Sequence, residues 1–319
     1  MLYNLLKTPA TIAIWLYCRQ LRVSNKKYFN LKGPLLIACN HPDSFLDAII
    51  IATLFKKPVY SLARGDAFNN KLYALLLRSM KMFPVYRTSE GVENMEHNYK
   101  TFEACREIFK KNGIVLIFSE GRCINEFHLR PLKKGTARLA ISSWKEGIDL
   151  TVLPLGINYQ GFQGFGKNVH LNFGNIISQK DIYQENGFGK AVQSFNTLLL
   201  AKLQPLVYEI EKNDIATLRQ FFEFKNSSLK KILLAIPAVM GYIIHWPLYM
   251  PAKIITAKSS LHNDHYDSIL VGILFVFYPF YLLLMSLLVY TFTGGWYGLL
   301  VFIVMPFCAW SYLQLKKQF

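Results

Sequence analysis

The chain is short of acid. Its 319 residues carry 20 Asp and Glu against 36 Lys and Arg, and after Lys231 only two acidic and four basic residues remain. A basic front beside a nearly uncharged end points to anionic lipid headgroups or phosphorylated substrates. Nucleic acid, the rival partner of a basic chain, is not expected, because no zinc-finger, helix-turn-helix or RNA-binding signature is present. Cysteine is scarce too. Cys18, Cys39, Cys105, Cys123 and Cys308 are widely spaced, odd in number and form no CxxC. That excludes a disulfide framework and fits a reducing compartment. No cluster of His, Cys and acidic residues has ligand spacing, so no metal is expected. The apolar N-terminus lacks a small-residue cleavage site, so it does not read as a signal peptide. There is no internal repeat and no low-complexity segment.

What is present is alternation. Strands are expected at Pro34–Cys39, Pro58–Leu62, Met82–Tyr86, Ile114–Phe118, Thr151–Ile157 and Val169–Phe173. Helices are expected around Ala48–Ala52, then at Asn70–Met80, Val92–Asn112, Gly135–Glu146 and Phe188–Lys212. This order argues for one α/β domain over residues 29–225. Pro154 marks an edge or a bulge in its strand. Residues 1–28 read as an interfacial membrane helix with Ile12, Trp15 and Leu16 on one face, or as a helix docked on the core. Residues 226–319 read as a membrane region. There, 232–252 is re-entrant or spanning, with Pro237, Pro247 and Pro251 inside it, while 269–292 and 296–313 form a transmembrane hairpin around Gly294-Gly295.

The chemistry gathers at strand ends. His41 follows the first strand and precedes a helix, on the sheet edge where open α/β folds bind ligands. Asp47 lies in the first turns of that helix, provided the helix starts beyond His41. A histidine with a carboxylate in reach is a general-base pair. A turn histidine beside acids favoured at a helix start is an equal reading of this stretch alone. Ser119-Glu120-Gly121-Arg122 leaves the next apolar strand at the same edge, and another strand ends at Arg87. Arg130, Lys133 and Lys134 precede a helix start, where phosphate binds readily. Any one of these cations is as easily a solvated charge; several at successive strand ends point to an anionic substrate.

Four stretches together carry a resemblance. Asn40-His41 with Asp47, the strand ending at Arg87, Phe118-Ser119-Glu120-Gly121-Arg122 and Val152-Leu153-Pro154-Leu155-Gly156 are similar to the four ordered blocks of the glycerophospholipid acyltransferases. That family includes the 1-acylglycerol-3-phosphate acyltransferases, and the resemblance runs from about Leu35 to Ile157. It implies that His41 is the general base and Asp47 its orienting carboxylate. It implies that Arg87, Glu120 and Gly121 bind the acceptor's glycerol phosphate, with Arg122, Lys133 and Lys134 nearby, and that Pro154 belongs to the acyl-donor site. Acyl-CoA or acyl-carrier protein is then the co-substrate, with no further cofactor. A lyso-phospholipid or glycerol phosphate is the acceptor, and membrane phospholipids are the surroundings. The expected enzyme is multi-pass, with its catalytic domain cytoplasmic.

The blocks depart from the usual pattern in places. Five residues separate His41 from Asp47 where four are usual, as in glycerol-3-phosphate and dihydroxyacetone-phosphate acyltransferases. Ser119 replaces a proline, Arg122 and Cys123 stand in the Thr-Arg slots, and Lys81 stands where a glycine is common. The expectation is an α/β acyltransferase domain with a central mixed sheet flanked by helices, followed by a C-terminal transmembrane helical region.

Overall fold

The computed structural model describes residues 2–86, 95–182 and 187–319. Helix α1 (Leu2–Tyr17) leads into β1 (Cys18–Val23), β2 (Leu35–Cys39), α2 (Ser44–Leu54), β3 (Val59–Arg64), α3 (Lys71–Ser79) and β4 (Met82–Val85). Then come α4 (Met95–Lys110), β5 (Ile114–Phe118), α5 (Gly135–Lys145), β6 (Thr151–Tyr159), β7 (Lys167–Phe173), α6 (Phe188–Leu203) and α7 (Ile215–Phe222). Three long helices close the chain: α8 (Ser228–Ser259), α9 (Tyr266–Thr293) and α10 (Tyr297–Leu315).

The seven strands form one sheet in the order β1-β7-β6-β2-β5-β3-β4. It is mixed: β6 pairs antiparallel with β7, and every other pair is parallel. Strands β2 and β5 are apolar throughout because both their faces are covered. Side chains alternate across a strand. Leu35, Ile37 and Cys39 therefore pack with Ile14 of α1 and Leu46, Ile50 and Ile51 of α2. Leu36 and Ala38 face the opposite layer, with Cys105 and Phe109 of α4, Leu139 and Trp144 of α5 and Phe195 of α6.

Pro154 sits in an interior strand, opposite Ala38 of β2. Its strand tolerates it because of a slip on the other side. Leu155 pairs with Phe173 but Val152 bridges Ile177, three steps on β6 against four on its neighbour. The carbonyl of Pro154 accepts from Gly174 within this bulge, so the missing N–H faces the bulge and not a regular ladder.

Two expectations are corrected. The apolar start is not one helix to Tyr28: β1 takes Cys18–Val23, paired with β7, with Leu21 and Val23 packed on the core. Its pairing partner is more than 140 residues away in sequence, and a local pattern does not reveal it. Helix α6 stops at Leu203 rather than Lys212, where Pro205 enters a short 3-10 turn. Lys81 has φ +65°, a backbone that favours the glycine common there.

Helices α8, α9 and α10 are each long and apolar enough to cross a membrane. Helix α8 is not broken by its prolines; it is one continuous helix of 32 residues. Near its start, Lys230 donates to Gln314 at the domain end of α10. Midway, the Ile244 carbonyl accepts from Tyr281 and His245 meets Tyr278, halfway along α9. Near its end, Ala252 packs against Tyr266 and Leu270, at the domain end of α9. Both ends of α8 thus lie towards the α/β domain.

Gly241 seats α8 on α10. A Cβ there would stand 2.1 Å from the Cys308 carbonyl oxygen, and small residues permit such approach between apolar helices. Gly241→Leu should cost about 1–3 kcal/mol of stability, the usual scale of overpacking. It is read as a lower melting temperature in detergent; unchanged melting would refute the seat.

Candidate active site

The site begins where β2 ends. Asn40 extends the pairing with its side chain, donating to the Ile157 carbonyl at 2.9 Å and accepting from Ile157 N–H at 2.8 Å. His41 follows, outside the helix. Its backbone N–H donates to Glu120 at 3.0 Å, and its ring stacks on Phe118 at 3.7 Å between centroids. The ring's Nδ1 lies 2.8 Å from Asp47 Oδ2. The six-position step between them is absorbed by the turn between β2 and α2, where Ser44 adopts φ +52°. That left-handed residue rotates the start of α2 so that Asp47 faces back to His41.

Asp47 is fully buried. It also accepts from the Tyr159 hydroxyl at 2.7 Å and the Asp43 backbone N–H at 2.9 Å. With Asp47 as acceptor, Nδ1 of His41 carries a hydrogen and Nε2 presents a lone pair. This is the geometry of a general base with an orienting carboxylate.

Glu120 lies beside the pair and is held by the backbone. Both its oxygens are occupied by backbone donors, His41 N–H and Arg130 N–H at 2.9 Å. Burial pushes its carboxyl above the usual range, and the two backbone bonds oppose that. Glu120 therefore ties the β2 turn to the loop before α5. Gly121 has φ +72°, and a Cβ there would stand 2.9 Å from Lys133 Cγ, so the Lys133 stem crosses over it. Lys133 and Lys134 are exposed at the N-terminus of α5, and Arg122 is exposed close by. None of the three enters an ion pair among the described residues. Cations at a helix N-terminus without carboxylates suit an anion.

Arg87 lies outside the described residues. The strand leading to it is held by Asn98, which brackets Tyr86 with two 2.8 Å bonds. Pro154 is buried within the sheet, in the β6 bulge, opposite Ala38. Cys39 is buried and Cys123 accepts from Ser44 N–H at 3.0 Å. Burial raises both thiols, so neither is an activated nucleophile. No group of His, Cys, Asp and Glu able to hold a metal occurs among the described residues. Tyr159 escaped the reading of the sequence, although it continues the period-two face of Leu155 and Ile157.

A histidine–carboxylate pair at a strand end, with cations at the neighbouring helix start, is an arrangement suited to group transfer. The family model described as Acyltransferase matches residues 20–158, the segment that holds His41, Asp47 and Glu120. This segment of the chain is an acyltransferase domain by that match. One solved structure with similarity is the 1-acyl-sn-glycerophosphate (LPA) acyltransferase PlsC from Thermotoga maritima, at 15% identity and a TM-score of 0.40. The match covers 62% of this chain and 79% of that one. The comparison with curated proteins finds none that matches.

His41→Ala and Asp47→Asn should each lower acyl-transfer turnover by about two or more orders of magnitude, the scale of a lost acid–base residue. Asp43→Asn should be milder, since only its backbone touches Asp47. A severe Asp43→Asn with a mild Asp47→Asn would exchange the two carboxylates' roles.

Proposed function

We propose that this chain moves a fatty acyl group from acyl-CoA or acyl-carrier protein to a hydroxyl of a glycerol-phosphate acceptor, with 1-acylglycerol-3-phosphate preferred, in phospholipid synthesis. The observation that carries the reading is the His41–Asp47 pair at 2.8 Å, with Arg122, Lys133 and Lys134 in no ion pair among the described residues. His41 Nε2 takes the acceptor's hydroxyl proton as the oxygen attacks the thioester carbonyl. Asp47 balances the imidazolium that forms. Collapse of the tetrahedral adduct breaks the carbon–sulfur bond, and the proton passes from His41 to the departing thiolate. The products are an ester and a free thiol, and no acyl-enzyme is needed. Arg122, Lys133 and Lys134, with Arg87, hold the acceptor phosphate and so orient the hydroxyl. Glycerol-3-phosphate or another lyso-lipid is the second acceptor reading, favoured by the five residues between His41 and Asp47.

The enzyme is proposed to be a multi-pass membrane protein with its catalytic domain in the cytoplasm, where its thioester donors are made and where basic flanks are retained. The return of both α8 ends to the domain supports an α8 that lies along or dips into the membrane, leaving the α9–α10 hairpin to cross it.

Purified protein in detergent should acylate 1-acylglycerol-3-phosphate, tested beside glycerol-3-phosphate and other lyso-lipids with both donor types. Binding to anionic vesicles with no transfer to any acceptor would make it a lipid-binding protein instead. Cysteine placed at Ser260, with native cysteines removed, should resist an impermeant reagent applied to intact cells. Labelling from outside would show that α8 crosses fully.

A further inference from the structure

Behind Asp47 a second polar cluster is sealed in the protein. Tyr17, Asp43, Lys167 and Asp267 are each no more than 5% exposed. The family match ends at residue 158, so Lys167 and Asp267 lie beyond it. Asp267 belongs to the first turn of α9. It pairs with Lys167, accepts from Gly164 N–H at 2.6 Å, and accepts from the Tyr17 hydroxyl at 2.7 Å. The same hydroxyl lies 3.2 Å from Asp43 Oδ2.

A hydroxyl has one proton to donate. The shorter contact, to Asp267, takes it. The Tyr17 oxygen is then left to accept, which a protonated Asp43 carboxyl would satisfy as donor across the 3.2 Å contact. Burial, which pushes Asp43 well above the usual carboxylate range against the pull of Lys167, favours the same state. Directional bonds therefore run from Asp43 to Tyr17 to Asp267. At the other end, the backbone N–H of Asp43 donates to Asp47. The left-handed Ser44 beside it is held by Cys123. Asn125 next to that loop donates to the Pro42 carbonyl at 2.7 Å and lies 3.5 Å from the Asp264 carbonyl, just before α9.

We propose that Asp267 is a positioning residue for acyl transfer: the first turn of the apolar hairpin holds the Pro42–Ser44 turn through Tyr17 and Asp43, and so sets Asp47 against His41. The inference rests on the acyl-transfer reading for its kinetic consequence, but not for its structural one.

Tyr17→Phe and Asp267→Asn should each lower kcat by about 10- to 100-fold, the scale of a displaced catalytic group, with both Michaelis constants changed less than about threefold. Asp43→Ala should do the same, and Asp43→Asn should restore most of the loss, because the amide donates as the protonated acid does. Hydrogen exchange in the peptide spanning Asn40–Asp47 should rise in Tyr17→Phe and Asp267→Asn. Trp310→Ala, which breaks the Trp15–Trp310 stack, should lower stability while leaving kcat and that exchange unchanged. If Asp267→Asn does not fold, because Lys167 is left unpaired, Tyr17→Phe decides alone. Wild-type kcat and unchanged exchange in Tyr17→Phe would overturn the proposal. If the wild-type protein transfers no acyl group, the proposed reaction fails, and the exchange measurement still decides whether α9 holds the turn.

Discussion

The hydrogen bond between His41 Nδ1 and Asp47, 2.8 Å long, is the constraint around which the domain is arranged. A fully buried carboxylate is costly unless hydrogen-bond donors surround it. Those donors come from separate parts of the chain: the ring of His41, the backbone of Asp43 and the hydroxyl of Tyr159. Strand β2 supplies the first, the turn after it the second and the far end of β6 the third. The order of strands matters because it sets β2 beside β6, with Asn40 and Ile157 locking the two ends together.

Around that pair the site divides into parts that hold and parts that are free to act. Glu120 and Asn40 have committed their polar atoms to backbone groups. They fix the turn. Arg122, Lys133 and Lys134 are exposed and outside any ion pair among the described residues, at the start of α5. Charged groups kept apart from opposite charges remain available to an anion, and a helix N-terminus adds its own partial positive charge.

The apolar tail is joined to the catalytic domain by polar bonds. Arg19 donates to the carbonyls of Leu313 and Lys316, at 3.0 and 2.6 Å, where α10 ends. Lys167 pairs with Asp267 where α9 begins. These are places where helix ends leave backbone groups or charges to be satisfied. The hairpin is therefore not a tether on a loose linker; its domain end is part of the domain's buried interior.

The proximity of His41 and Asp47, the alternation of strands and helices and the apolar tail were legible in the residues, because strand and helix periodicities and the chemistry of strand ends are local properties. So was the need for His41 to lie outside its helix. The backbone partners of Glu120, the interior place of Pro154's strand, and strand β1 were not. Each depends on which backbone groups lie opposite, and that is decided by pairing across the sheet. Tyr17, Lys167 and Asp267 carry no pattern in the chain. They are 100 or more residues apart in sequence, and only burial in a shared space makes their charges and hydrogen bonds answer one another. The sequence by itself determined the class of fold, the pairing of His41 with Asp47 and the apolar end; the tertiary structure decided what holds that pair in place, because buried polar groups are satisfied by whichever neighbours the fold brings within hydrogen-bond distance.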